Sequence, residues 1–275
     1  MKATVNGIAL GYDDLGNGPA VVLIHDFPLS RRMWEPQIAP LVSAGYRVIV
    51  PDLRGFGESA EAEAAFNISD YADDVVALLN YLGVGRAVFG GMTMGGYVLF
   101  DLLERYRPRV MAAAFFATRS RADDLAEKAR RAELAEKVVT GNRQQVIDHL
   151  AGLLFTEQMA KVQPTLVEKV KEWVDSTDSR TLTAGLLAIR NRTDYTAQVR
   201  HFDRPALVIG ADLDRCVKSE HIRFMAAALP CCTSRIIMGA GHLVNMERPE
   251  EFNPCLLDFL GSLAGYRSAD WRKVA

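Results

Sequence analysis

Gly90-Gly91-Met92-Thr93-Met94-Gly95-Gly96 follows a short β-branched and aromatic run at residues 86–89 and precedes an apolar stretch of helical period at 97–103. A strand, a glycine-crowded turn and a helix form the layout of a nucleophile elbow, whose pattern is G-x-S-x-G. Here it reads Gly91-Met92-Thr93-Met94-Gly95, so threonine stands where the attacking serine is expected. Glycines flank the turn because neighbouring side chains would collide there.

Outward from the elbow, continuous apolar runs recur at 20–24, 47–50, 86–89, 110–116, 206–209 and 234–238. Such runs suit strands buried on both faces of a parallel sheet. Helical periods lie between most of them; in one, residues 69–82, Ser69 is placed to act as N-cap. Alternation of this kind predicts an α/β, mostly parallel, doubly wound sheet with helices on both faces. The N-terminal residues 4–12 alternate and are expected to form a hairpin turning at 13–18. From 121 to 196 no strand-like run occurs; charges are dense and helical periods fall at 123–139, 144–154, 164–175 and 180–191. This reads as a helical cap inserted between two strands, roofing the carboxyl ends where open α/β sheets bind ligands. The expected division is a core of 1–120 and 197–265, a cap of 121–196 and a polar tail of 266–275.

Composition narrows the function classes. The 275 residues are 49% hydrophobic and 24% charged, with a net charge of −2, which is ordinary globular composition without the basic excess of a nucleic-acid surface. The first residues lack the apolar core of a signal peptide and no apolar run is long enough to span a bilayer, so a cytoplasmic protein is expected, with neither nucleic acid nor membrane as partner. Cys216, Cys231, Cys232 and Cys255 match no zinc spacing and read as free thiols. No metal or cofactor is expected.

Acyl transfer needs a nucleophile, a base, an acid that orients the base, and donors for the oxyanion. Thr93 is the candidate nucleophile. His242, on the glycine-rich loop after the last strand run, is the candidate base. Asp214 is preferred over Asp212 as the acid, because Asp214-Arg215-Cys216-Val217 leads straight into the next helix. The oxyanion donors are expected to be the backbone N–H groups of Met94, at a helix N-terminus, and Phe27, on the loop after the first buried run. His25, which closes that run, is expected to hold the loop.

Four motifs in one order, His25-Asp26-Phe27-Pro28, Asp52-Leu53-Arg54-Gly55-Phe56-Gly57-Glu58-Ser59, the elbow, and Gly239-Ala240-Gly241-His242 with its trailing Glu247-Arg248-Pro249, resemble the α/β-hydrolase superfamily over essentially the whole chain. Within it the sequence is similar to small bacterial esterases and 3-oxoadipate enol-lactonase-like proteins. The resemblance implies an α/β-hydrolase fold and a small ester, lactone or other acyl substrate, cleaved without cofactor through Thr93, His242 and Asp214. Two departures fall in the active site: Thr93 replaces serine, and Asp26 replaces the glycine of the oxyanion loop. Asp26 is expected to point outward and bond the loop backbone, since a carboxylate would oppose a developing oxyanion. Possible pocket residues are Asp26, Met92, Arg119 and Trp34, with Arg119 at the pocket mouth and Trp34 beneath the oxyanion loop. Turnover is expected to be slow; the alternative is a catalytically impaired homologue that binds a small molecule. A haloalkane dehalogenase is disfavoured, because that reaction needs a carboxylate at the elbow.

Overall fold

The computed structural model describes residues 1–61 and 65–263, so the tail expected at 266–275 and the last two residues of the expected core lie outside the described residues. Eight strands form one sheet: β1 (Lys2–Val5), β2 (Ile8–Leu15), β3 (Ala20–Ile24), β4 (Arg47–Pro51), β5 (Ala87–Met92), β6 (Val110–Phe116), β7 (Ala206–Ala211) and β8 (Cys232–Ile237). Their order is β1-β2-β4-β3-β5-β6-β7-β8. The first two joints, β1/β2 and β2/β4, are antiparallel and all the others are parallel. β3, β5 and β7 are buried at every residue, as strands sandwiched between helices must be.

The hairpin turns earlier than the expected 13–18. Asn6 and Gly7 both take positive φ (48° and 78°), the two-residue Asn-Gly turn that matches strand twist. β2 then runs on through Leu15, because Tyr12 to Leu15 pair antiparallel with β4.

Helices α1 (Glu35–Ser43), α2 (Ile68–Tyr81), α3 (Met94–Arg105), α9 (Ser219–Ala228), α10 (Val244–Glu247) and α11 (Pro249–Ser262) belong to the sheet's layers. α2 is capped by Asn67, not Ser69: the Asn67 side chain accepts from the Ser69 and Asp70 N–H groups, and Asp70 accepts from Asn67 N. Between β6 and β7 stand α4 (Leu125–Val139), α5 (Arg143–Leu154), α6 (Glu157–Val162), α7 (Pro164–Asp175) and α8 (Ser179–Arg190), with no strand among them. The six-residue α6 was too short to leave a period in the sequence. None of the described helices is long and apolar enough to cross a membrane.

The helical insertion is fastened at its root by one carboxylate. Asp123, its side chain fully buried, accepts from Arg119 and Arg192 at 2.7 Å each and pairs with Arg131. These residues come from the end of β6, from α4 and from the exit of α8, so the charge cluster ties both ends of the insertion to the sheet. Buried charges are tolerated when paired and hydrogen-bonded in this way.

Trp34 and Met92, expected near the pocket, lie in the core instead. Trp34 is wholly buried and packs against Phe116 and Phe252, and Met92 ends the buried strand β5. Met92 is interior because the chain turns at Thr93 and not before, and Trp34, in the 3-10 turn Arg31–Trp34, is covered by Phe116 and Phe252. Trp34→Ala is therefore expected to cost about 3–5 kcal/mol of stability, read as a lowered urea midpoint. Ligand affinity of the folded fraction should stay unchanged.

Candidate active site

The elbow is built by close approach of backbones. A Cβ on Gly91 would lie 2.3 Å from Gly95 O, and one on Gly95 would lie 2.2 Å from Ile24 O. Only glycine lets α3 pack this tightly onto β3 and β5. Thr93 itself takes φ 43° and ψ −95°. Positive φ in a β-branched residue is a strained state that needs surrounding support. Support comes from Phe116 O, which accepts from Thr93 N at 3.0 Å, and from Thr118 Oγ1, which donates to Thr93 O at 2.9 Å. Thr118 has no sequence signal beyond its place after a strand.

Thr93 Oγ1 lies 2.7 Å from His242 Nε2, and His242 Nδ1 lies 2.8 Å from Asp214 Oδ2. Asp214 Oδ1 accepts from Cys216 N and Val217 N at 2.7 and 3.0 Å, which fixes the carboxylate. Asp212 serves elsewhere, accepting from Gly239 N at 2.7 Å. An alcohol, an imidazole and a carboxylate thus stand in one hydrogen-bonded row.

Asp26 does not point outward. It is 2% exposed; its Oδ1 accepts from Phe27 N at 2.7 Å and Met94 N at 3.3 Å, while Oδ2 lies 3.1 Å from His242 Nε2. The two expected oxyanion donors do converge on one point, and a carboxylate oxygen of the protein occupies it. The physical reason is local: Met94 opens α3, and a helix N-terminus with free N–H groups favours an anion. An outward Asp26 would leave both donors without this charge-assisted partner. His25 positions the same loop, donating from Nδ1 to Asp26 O at 2.8 Å and accepting from Leu53 N at 2.9 Å. Burial lowers its pKa, and these partners call for the neutral ring.

His242, 1% exposed, has the opposite character. Burial alone would lower its pKa, but the Asp214 carboxylate, with bonds to Asp214 and Asp26, outweighs burial and holds it well above the usual histidine value. The ring is then a cation between two carboxylates. Its Nε2–H is directed at Thr93 Oγ1 and Asp26 Oδ2, while the Thr93 hydroxyl donates to Ala117 O at 2.9 Å. In this arrangement the alcohol is an acceptor from the imidazolium and is not yet being deprotonated. Since the folded-state value is raised, the stabilisation from this ion pairing is complete below the ordinary histidine pKa of 6.5 and is lost as pH rises through the folded value.

Glu247, also unsignalled except by the trailing Glu-x-Pro, secures the loop that carries His242. It accepts from Gly241 N at 3.0 Å and from Thr156 N and Oγ1 at 3.2 and 2.9 Å.

A cavity of about 180 Å³ opens over this row. Asp26, Thr93 and His242 form its floor, and residues of α4, α5 and α8 its walls, among them Leu134, Leu150, Leu153 and Ile189. Arg119 lines it too, yet two of its nitrogens are committed to Asp123 and Glu127 at 2.7 Å each. Among the described residues Asp214, Cys216 and His242 have donor atoms within 4.8 Å of one another. Asp214 and His242 already spend theirs on each other, so the cluster is a hydrogen-bonded one. The cysteines are free, and burial pushes the Cys216 thiol up to about 11.

Comparison with known proteins gives a consistent picture. A family model described as alpha/beta hydrolase fold matches residues 19–249. A putative non-heme chloroperoxidase of Synechocystis is 30% identical over 271 residues, covering 92% of this chain and 95% of that protein. A thermophilic esterase from Thermogutta terrifontis, solved with malate, superposes with a TM-score of 0.91 at 33% identity, over 96% of this chain and 98% of that one. An enol-lactonase from Burkholderia xenovorans does so with a TM-score of 0.88 at 28% identity, over 95% and 100%.

Asp26→Asn is expected to lower the His242 pKa, because it removes one of the two carboxylates that favour the charged ring. An NMR titration of the imidazole reads this directly; an unmoved value would mean that Asp26 does not act on the ring.

Proposed function

This chain belongs to the α/β-hydrolase family, and we propose that within it the protein hydrolyses small carboxylic esters or lactones through Thr93, His242 and Asp214. The observation that carries the reading is the row Thr93 Oγ1–His242 Nε2–Asp214, at 2.7 and 2.8 Å, beside two convergent backbone donors. The helices at 121–196 act as a cap that shapes the acyl pocket. His242, once neutral, takes the Thr93 proton as Oγ1 attacks the substrate carbonyl. Asp214 holds the imidazolium that forms. Phe27 N and Met94 N are the donors for the tetrahedral oxyanion. The alcohol leaves with the proton from His242, and water repeats the sequence to free the acid.

Turnover is slow for two reasons that lie in these residues. The Thr93 methyl adds bulk at a strained φ. Asp26 Oδ1 sits where the oxyanion must form, so the carboxylate has to be displaced or neutralised first. That second observation favours one other reading: a binding protein that keeps the cavity and has lost turnover. It predicts saturable ligand binding with no phosphonate labelling of Thr93.

A short-chain aryl ester assay separates the two. Thr93→Ser should raise kcat by about tenfold, equivalent to roughly 1.4 kcal/mol of barrier. Asp26→Gly, which frees both donors, should raise kcat/KM by roughly tenfold or more. His242→Ala should abolish hydrolysis in each background; a rate indifferent to His242 would sink the proposed row. The wild-type rate should climb with pH as the His242 cation loses its proton, and Asp26→Asn should shift that limb to lower pH.

A further inference from the structure

The ester reading treats Asp26 as an obstacle, yet its two oxygens are held in different and complementary ways. Oδ1 rests in the donor pair of Phe27 N (2.7 Å) and Met94 N (3.3 Å). Oδ2 stands 3.1 Å from His242 Nε2, and the residue lines the cavity. A carboxylate bound through one oxygen in an oxyanion cradle has its own Cγ already placed for a tetrahedral intermediate. The elbow lacks a carboxylate, but the facing loop supplies one to the same donors.

We infer that Asp26 is a nucleophile toward small alkyl halides, forming an alkyl ester on its own side chain that water and His242 then hydrolyse. In the first step Oδ2 forms a bond to the halide-bearing carbon and the carbon–halogen bond breaks, its electron pair leaving with the halide. No proton is needed. Arg119 suits the departing anion: it is 6% exposed, lines the cavity, and its Nε has no hydrogen-bond partner among the described residues. Leu134, Leu150 and Leu153 offer a short alkyl chain an apolar wall.

The second step uses the consequence of the first. Esterification neutralises Asp26 and removes the negative charge that stands 3.1 Å from His242 Nε2, so the ring releases its proton to solvent and becomes a base. Water attacks Cγ and gives a proton to His242 Nε2. The negative charge develops on Oδ1, already against Phe27 N and Met94 N. Collapse expels the alkoxide, which takes the proton from His242 and leaves Asp26 as the acid; the acid then passes its remaining proton to His242 Nε2, 3.1 Å from its Oδ2 position, which restores both the carboxylate and the charged ring. The sum is alkyl halide plus water to alcohol, halide and a proton. Thr93 has no covalent part in it, which fits a hydroxyl that hydrogen-bonds the imidazolium as an acceptor.

The test is incubation of wild type and His242→Gln with n-butyl bromide, followed by bromide release and mass analysis of the peptide that contains Asp26. His242→Gln should trap one butyl group per chain on Asp26, while wild type should release bromide repeatedly. In heavy-oxygen water, wild-type turnover should leave the heavy isotope in the Asp26 carboxylate. Asp26→Asn should lose adduct and bromide release down to the uncatalysed background, with a circular dichroism spectrum and a urea midpoint like those of the wild type. Thr93→Ala should lose ester hydrolysis and still release bromide repeatedly. No adduct on Asp26 in His242→Gln, or bromide release that survives Asp26→Asn, overturns the inference and leaves the ester reading standing. Ester hydrolysis indifferent to Thr93 or His242 overturns that reading instead.

Discussion

One imidazole nitrogen, His242 Nε2, is shared between an alcohol at 2.7 Å and a carboxylate at 3.1 Å. The protonation state of the ring decides which chemistry the site can perform. A neutral ring is a base for Thr93 or for water. A charged ring is locked between Asp26 and Asp214 and deprotonates nothing. With both carboxylates in place the charged form is favoured, so Asp26 acts on the site through the His242 ring as well as through the backbone donors Phe27 N and Met94 N.

The same structural parts serve both roles because of where they sit. Met94 opens α3 directly after the strained turn, and Phe27 follows the first buried strand of the parallel sheet, so their N–H groups meet between β3 and β5. The close approaches of Gly91 and Gly95 bring the two segments together. Any anion of suitable size at that point is stabilised: an oxyanion from a substrate, or a side chain that reaches it first. A glycine at position 26 would leave the cradle to the substrate, whereas aspartate fills it from within the protein.

Much of this was legible in the sequence, and the misses have local causes. The apolar runs marked the parallel strands, because burial on both faces leaves an uninterrupted signal; β6 at 110–116 matches residue for residue. The hairpin was misplaced because Asp13 to Gly18 carries turn residues, while the decisive Asn6-Gly7 pair is only two residues long. Asn67 and Ser69 are both good caps two residues apart; Asn67 caps because Asp70 completes a reciprocal box with it, while the Ser69 hydroxyl donates to Asp101. The row of Thr93, His242 and Asp214 could be read from motif order, since each follows a strand end. The orientation of Asp26 could not, because it depends on two backbone donors, its neighbour Phe27 N and Met94 N, the latter 68 residues along the chain from Asp26. Trp34 and Met92 were drawn toward the pocket by nearness in sequence to its loops, and the sheet interior claimed them instead.

The loop that carries His242 is attached to the helical insertion on both sides of the ring. Glu247 accepts from Gly241 on one side and from Thr156 on the other, and Leu243 N donates to Leu154 O at 3.0 Å. Leu154 and Thr156 form the junction of α5 and α6, and Leu154 also lines the cavity. That junction cannot be displaced without either breaking these bonds or dragging Gly241 and Leu243 with it. The roof of the cavity and the loop of the ring are therefore one hydrogen-bonded unit, in which a change in the position of either bears on the other.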